Sequence, residues 1–396
     1  DMKNIDDFNF RNRKALLRVD FNVPLNNELI VTDETRIIAT IPTIKKIINE
    51  GGSVILMSHL GRPKKGPEDQ YSLKHIIPNL QEKLGTEVKF SGDCIGVSAL
   101  ELSQTLGTGE VMLLENVRFY PEETKGDEDF ASKLAKLGDI YVNDAFGTAH
   151  RAHASTTIVA QFFEDKCAGY IMGSELANAK KVLENPNRPF TAIMGGAKIS
   201  DKIMIIEKLL NKVDHLIIGG GMSYTFSKAQ GGAIGKSLCE DNRMALTLEL
   251  IEKAKSKGVK LYLPLDNVIA DDFNNDAHRQ IVNAGEIPDD WEGLDIGPES
   301  INSFENIIKN SKTILWNGPM GVFEFQNFAV GTEAIAEAVV TATQNGAFSL
   351  IGGGDSAAAI NNLGYGDKVS YVSTGGGALL EYMEGKTLPG VAILED

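Results

Sequence analysis

The chain has 396 residues, 42% of them hydrophobic and 23% charged, with a formal net charge of -15. That length exceeds what one hydrophobic core usually serves, so two domains are expected. The acidic balance excludes general binding of nucleic acid or of an anionic membrane, because the summed field repels both, yet it leaves room for a local basic pocket.

The first half alternates short apolar strand candidates with amphipathic helix candidates. Strands are expected at 14–22, 52–61, 87–90, 109–119 and 139–147, with helical segments such as "TRIIATIPTIKKIINEGG" and "SLKHIIPNLQEKLG" between them. Nearly all-apolar strands separated by helices indicate a parallel sheet covered on both faces. The stretch "GSELANAKKVLENPNRP" (173–189) reads as a long connecting helix with no strand beside it. The pattern then restarts, with strands expected at 190–196, 215–221, 260–270, 312–319, 348–354 and 369–377. The fold class that follows is α/β, with two doubly wound parallel-sheet domains of similar size joined by a hinge helix. Ligands in such sheets bind outside the carboxyl ends of the strands.

Cys94, Cys167 and Cys239 are far apart and form no CxxC pair, which suits a reducing compartment and gives no disulfide or zinc framework. The longest apolar runs are strand-sized and the N-terminal residues lack an apolar signal core, so no membrane span is expected and the cytoplasm is the expected location.

Chemistry concentrates at the strand ends, and differently in the two halves. In the first half these ends carry "RVDFNVP" (18–24), "SHLGRP" (58–63), "ENVRF" (115–119) and "NDAFGTAHRAHAS" (143–155), and Arg36 opens the helix after the first strand. A parallel sheet would bring Arg18, Arg36, His59, Arg62, Arg118, His150 and Arg151 towards one rim. A single arginine is most often a surface ion pair. This many at one edge of an acidic protein indicates a pocket for a small, highly anionic molecule, held by the forked guanidinium geometry that suits carboxylate and phosphate.

The second half instead ends its strands in glycine: "GGAKISDK" (195–202), "GGGMSYTF" (219–226), "WNGPMGVFE" (316–324), "GGGDSAAA" (352–359) and "STGGGA" (373–378). Glycine turns let backbone N–H groups approach a phosphate, and a following helix N-terminus adds favourable partial charge. Lys198 and Lys202 are either a solvated pair or a joint anion clamp. Asp355 and Ser356 are either helix caps or, for Asp355, a Mg²⁺ ligand beside phosphate. "QGGAIGKS" (230–237) lacks the first glycine of a P-loop and follows a helix, and no dinucleotide fingerprint follows the first strand of either domain.

Taken together and in order, these segments resemble the phosphoglycerate kinase family over essentially the whole chain. The resemblance implies reversible phosphoryl transfer in glycolysis between 1,3-bisphosphoglycerate and ADP, giving 3-phosphoglycerate and ATP, in line across a closing interdomain cleft. It implies domains at 1–170 and 189–378, a hinge helix at 171–188, and a C-terminal segment, 379–396, that returns to the first domain. Asp20, Asn22, Arg36, His59, Arg62, Arg118 and Arg151 would hold 3-phosphoglycerate, with Arg36 also stabilising the moving phosphoryl group. Lys202, Gly293, Asn317, Pro319, Glu324 and the turn Gly353, Gly354, Asp355 and Ser356 would hold the nucleotide, with Asp355 on Mg²⁺. Lys198 would follow the phosphoryl group, and the amides of Gly375 and Gly376 would face the transition state. A monomer is implied. The acceptor is a carboxylate already ionised at neutral pH, so no general base is needed. His150 and Arg151 are then pocket residues, and His153 is structural support.

Overall fold

A computed structural model describes residues 1–395. The chain divides into two compact units, Asp1–Leu176 joined by the segment from Thr387, and Ala177–Lys386. The second unit therefore runs beyond the expected 378, because helix Gly377–Met383 stays with it. The division falls inside helix Tyr170–Leu183, the expected connector. Among the described residues no helix is long and apolar enough to cross a membrane.

In the first unit the strands are β1 (Lys14–Arg18), β2 (Ser53–Met57), β3 (Val88–Ser91), β4 (Val111–Leu114), β5 (Ile140–Asn143) and β6 (Lys166–Ala168). They form one sheet in the order β3-β4-β2-β1-β5-β6, and every pairing is parallel. β2, β4 and β5 are buried at every residue, as strands covered on both faces must be. Helix Thr35–Asn49 lays Ile37, Ile44 and Ile47 into a core with Leu17, Val54 and Leu56. Each such side chain contributes about 1.5–3 kcal/mol by leaving water.

Register sets the active edge. Arg18 lies opposite Met57 on one side and Asn143 on the other, so β1, β2 and β5 end level. The loops beginning at 19, 58 and 144 therefore leave the same edge as neighbours, and β4 adds the loop at 115 beside β2. Gly390 of the C-terminal segment donates its N–H to the Ala149 carbonyl at 2.8 Å, close to that edge.

The second unit holds a six-stranded parallel sheet in the order Lys260–Tyr262, His215–Ile218, Phe190–Met194, Thr313–Asn317, Phe348–Gly352 and Tyr371–Val372. Asn317 pairs with Met194 and with Gly352, and Met194 with Ile218, so four glycine turns again leave one edge side by side. Helices Pro298–Lys309 and Val330–Gln344 pack Phe304, Ile308, Ile335 and Val339 around Trp316.

One strand expectation fails. The run 260–270 is not one strand, because it stops at Tyr262 and restarts at Asp266 in a separate antiparallel sheet with Arg279–Asn283 and Glu292–Ile296. Pro264, which has no N–H to give a ladder, stands in the break.

Candidate active site

On the first unit, Asp20, Asn22 and Arg36 form one linked group. Arg36 Nη1 donates to the Asn22 carbonyl at 2.7 Å and to Asp20 Oδ1 at 3.3 Å, and Asp20 Oδ1 also accepts from the Asn22 N–H at 3.1 Å. Asn22 Oδ1 then accepts from the Gly61 N–H at 2.8 Å, tying the β1 loop to the β2 loop. Gly61 has φ +62°, and a Cβ there would lie 2.5 Å from the Tyr71 ring, so only glycine fits this turn. The Arg118 backbone N–H is fixed by Asn116 Oδ1 at 3.0 Å, while the buried Asn116 spans to the Leu60 and Tyr71 carbonyls at 2.8 and 2.9 Å.

The charges of this edge crowd one another. Burial, then the charges of Arg18, Arg118, His153 and Arg36, push the His59 imidazole well below its ordinary pKa. His153 is lowered to about 4 by burial and by Arg118, Arg18, Arg151 and His150. Burial also lowers Arg118, with Arg18 and Arg62 contributing in the same direction. Buried Arg118 Nε and His153 Nδ1 have no hydrogen-bond partner. Clustered arginines, one with an unsatisfied donor, are what a bound polyanion would neutralise. Arg62 and Arg151 stand exposed at the rim.

On the second unit the turns interlock through glycine. A Cβ on Gly195 would lie 2.1 Å from the Pro319 carbonyl oxygen, and Gly353, at φ +94°, would press one to 2.7 Å from Asn317 Nδ2. Asn317 Nδ2 donates to the Gly352 carbonyl at 3.0 Å, and its Oδ1 accepts from the Lys202 ammonium. Burial lowers the Lys202 pKa, opposed by the negative charges of Asp201, Asp355 and Glu384. Lys198 is exposed and precedes a short 3₁₀ turn, Ile199–Asp201, rather than opening an α-helix.

Neither Asp355 nor Ser356 caps helix Gly354–Asn362; Gly353 occupies that position without a side-chain bond. Ser356 Oγ instead accepts from the Gly318 N–H at 2.6 Å. The Asp355 carboxylate is exposed and makes no hydrogen bond or ion pair among the described residues. The Gly375 N–H is already engaged, donating to Ser373 Oγ at 3.0 Å, and Gly376 (φ +52°) precedes helix Gly377–Met383.

Beside these turns lies a cavity of about 350 Å³ with Gly293, Pro319, Glu324 and Asp355 in its lining. A Cβ on Gly293 would strike Tyr224 Oη at 2.0 Å. Its apolar surfaces include Leu238, Phe273, Met320 and Val322, and Glu292 lies among them with Oε1 buried and unpartnered. Leu238 and Phe273 carry no glycine or charge motif in the sequence, whereas Glu292 directly precedes Gly293. Tyr224 stood inside a quoted motif.

An arginine-lined edge on one parallel sheet and a glycine-turn edge with a lysine and a base-sized cavity on the other define a nucleotide-dependent phosphotransferase. The family model for phosphoglycerate kinase matches residues 5–386. The chain is 54% identical to the phosphoglycerate kinase of Porphyromonas gingivalis, covering 99% of both chains. It is 54% identical to the cytosolic phosphoglycerate kinase of Nicotiana tabacum, over 98% of this chain and 96% of that one. The solved structure of phosphoglycerate kinase from Coxiella burnetii superposes with a TM-score of 0.90 at 40% identity, covering 100% and 99% of the two chains. The chain belongs to the phosphoglycerate kinase family, kinases of glycolysis that act on ATP and ADP.

Proposed function

We propose that the first unit binds 3-phosphoglycerate or 1,3-bisphosphoglycerate, that the second binds ADP or ATP, and that the chain transfers the phosphoryl group between them as a cytosolic monomer. The observation that carries the acceptor side is the linkage of Asp20, Asn22, Arg36 and Gly61 beside His59 and Arg118. Asp20 and the Asn22 carbonyl orient Arg36. Arg118 brings an unsatisfied donor, and His59 brings a ring that stays neutral at physiological pH, so binding strength comes from the arginines.

On the nucleotide side, Lys202 pairs with phosphate while Asn317 holds the ammonium in place, and Gly353 and Gly354 offer backbone amides. Gly293, Pro319 and Glu324 border the base and ribose. Lys198 is exposed and free to follow the transferred group. Gly375 and Gly376 face the same group, the Gly375 amide once Ser373 releases it.

The donor set suits Mg²⁺. Among the described residues no cluster of three or more His, Cys, Asp or Glu could cage a metal. A single free carboxylate, Asp355, completed by phosphate oxygens, is the coordination this small cation ordinarily accepts. When bound, the ion would neutralise charge on the phosphate oxygens. The protein contributes positioning and positive charge, which is most of what phosphoryl transfer requires. The test is ADP formation from MgATP with and without 3-phosphoglycerate, with a downstream enzyme removing the acyl phosphate. Turnover should require both, and nucleotide binding without acceptor-dependent turnover would overturn the assignment.

A further inference from the structure

Arg18 ends β1 and is completely buried, which is rare for an arginine and demands that its donors be satisfied. Each of its three side-chain nitrogens has a partner: Nε donates to Ser155 Oγ at 2.8 Å, Nη1 donates to the Val19 carbonyl, and Nη2 lies 2.9 Å from His59 Nδ1. Behind it stands Glu123, also fully buried, accepting from the Ser155 hydroxyl at 2.6 Å and from the Ser155 N–H at 2.8 Å.

The direction of every bond in this chain is fixed by chemistry. A carboxylate accepts, so the Ser155 proton points at Glu123 and the serine lone pair faces Arg18. Guanidinium has five donors and no acceptor. Nδ1 of His59 must therefore accept from Nη2, which excludes both a proton on Nδ1 and the doubly protonated imidazolium.

We propose that Arg18 is a positioning residue that holds His59 as the neutral Nε2–H tautomer, so that the imidazole meets the anionic substrate as a hydrogen-bond donor. Phosphate and carboxylate oxygens only accept. The opposite tautomer would turn a lone pair towards them, and an imidazolium would set two donors against each other at Nδ1. The groups facing the ring reinforce this state: Arg18, Arg118 and Arg36 bring positive charge, His153 is itself held neutral by burial and by Arg118 and Arg18, and the balancing Glu123 lies behind Ser155. The proposal rests on the reading that His59 lines the 3-phosphoglycerate pocket, but the tautomer itself can be measured without turnover.

The decisive experiment is a long-range ¹H–¹⁵N correlation spectrum of the uniformly labelled whole chain, with the His59 ring assigned by its loss in His59→Gln. A neutral Nε2–H pattern at pH 7 is expected; an Nδ1–H or imidazolium pattern overturns the proposal. Arg18→Met keeps length without a donor, and Arg18→Lys restores one. The KM for 3-phosphoglycerate should rise about tenfold or more in the methionine variant, the cost of roughly one hydrogen bond to an anion, and recover in the lysine variant. The KM for MgATP should move less than about twofold in both. Equal losses in the two variants, or equal effects on both substrates, would mark Arg18 as merely structural. If the methionine variant does not fold, the spectrum of the unmodified protein still decides. Absent acceptor-dependent turnover, the functional reading falls while the tautomer stands or falls on its own spectrum.

Discussion

The Lys202 ammonium donates to the side-chain carbonyl of Asn317, whose amide in turn donates to the Gly352 carbonyl at 3.0 Å. One half-buried cation is thus pinned by a strand end rather than by a carboxylate, and its charge is left for a ligand. Lys202→Ala should weaken ADP binding about tenfold or more, as expected for a lost charge-assisted bond. Binding of 3-phosphoglycerate should be unchanged. Calorimetric titration with each ligand checks this, and equal weakening of both would contradict it.

Gly353 makes the same region sensitive to a single methyl group. Its φ is +94°, and a Cβ added there would stand only 2.7 Å from Asn317 Nδ2, which leaves no room for alanine. Gly353→Ala should displace Asn317, cost about 1–3 kcal/mol of stability, and raise the KM for nucleotide. Thermal unfolding together with steady-state kinetics tests it. A variant with unchanged stability and unchanged KM would show that the turn adapts freely.

Arg36 is oriented by Asp20 and the Asn22 carbonyl but is not consumed by them, since each takes only Nη1. Arg36→Ala should lower kcat by about 10²–10³, the scale for removing a preorganised donor to transition-state charge. If kcat stays near normal and only KM rises, Arg36 binds substrate without stabilising the transferring group.

Asp295 gives the fold a pH signature of its own. It is almost fully buried and accepts from the Ile296 and Gly331 N–H groups at 2.8 and 2.9 Å, yet burial pushes its carboxyl up to about 7. Folded Asp295 therefore holds a proton that the unfolded chain, near 3.8, has released. The stability this proton contributes is full below the unfolded value and is lost as pH rises through about 7. The stability gap between the native chain and Asp295→Asn should narrow from pH 4 to pH 8. Chemical denaturation across that range measures it; a gap that widens with pH would mean the two amide bonds keep the carboxylate ionised.

Much of this fold was legible in the sequence. Apolar strand cores and glycine-ended helices announced two parallel sheets, and the loops at 19–22, 58–62 and 115–118 lie on one edge because β1, β2 and β4 are neighbours. Less legible was anything set by approach between distant segments. Pro264 splits a run that hydropathy alone reads as continuous. Ser356 abandons a helix cap for the Gly318 N–H, because the Thr313–Asn317 strand ends beside it.

The amino-acid order by itself determined which residue types sit at each strand end, since side-chain period and turn chemistry are local properties. Arginines, histidine and amides fell to the first half, and glycines and lysines to the second. Tertiary structure alone decided which of them share a charge or a proton. Arg18 reads as one more pocket arginine until the fold buries it and sets Nη2 against His59 Nδ1. Leu238 and Phe273 carry no motif until the chain brings them to one cavity. Burial and hydrogen-bond direction depend on neighbours far away in sequence, and only the folded chain supplies those neighbours.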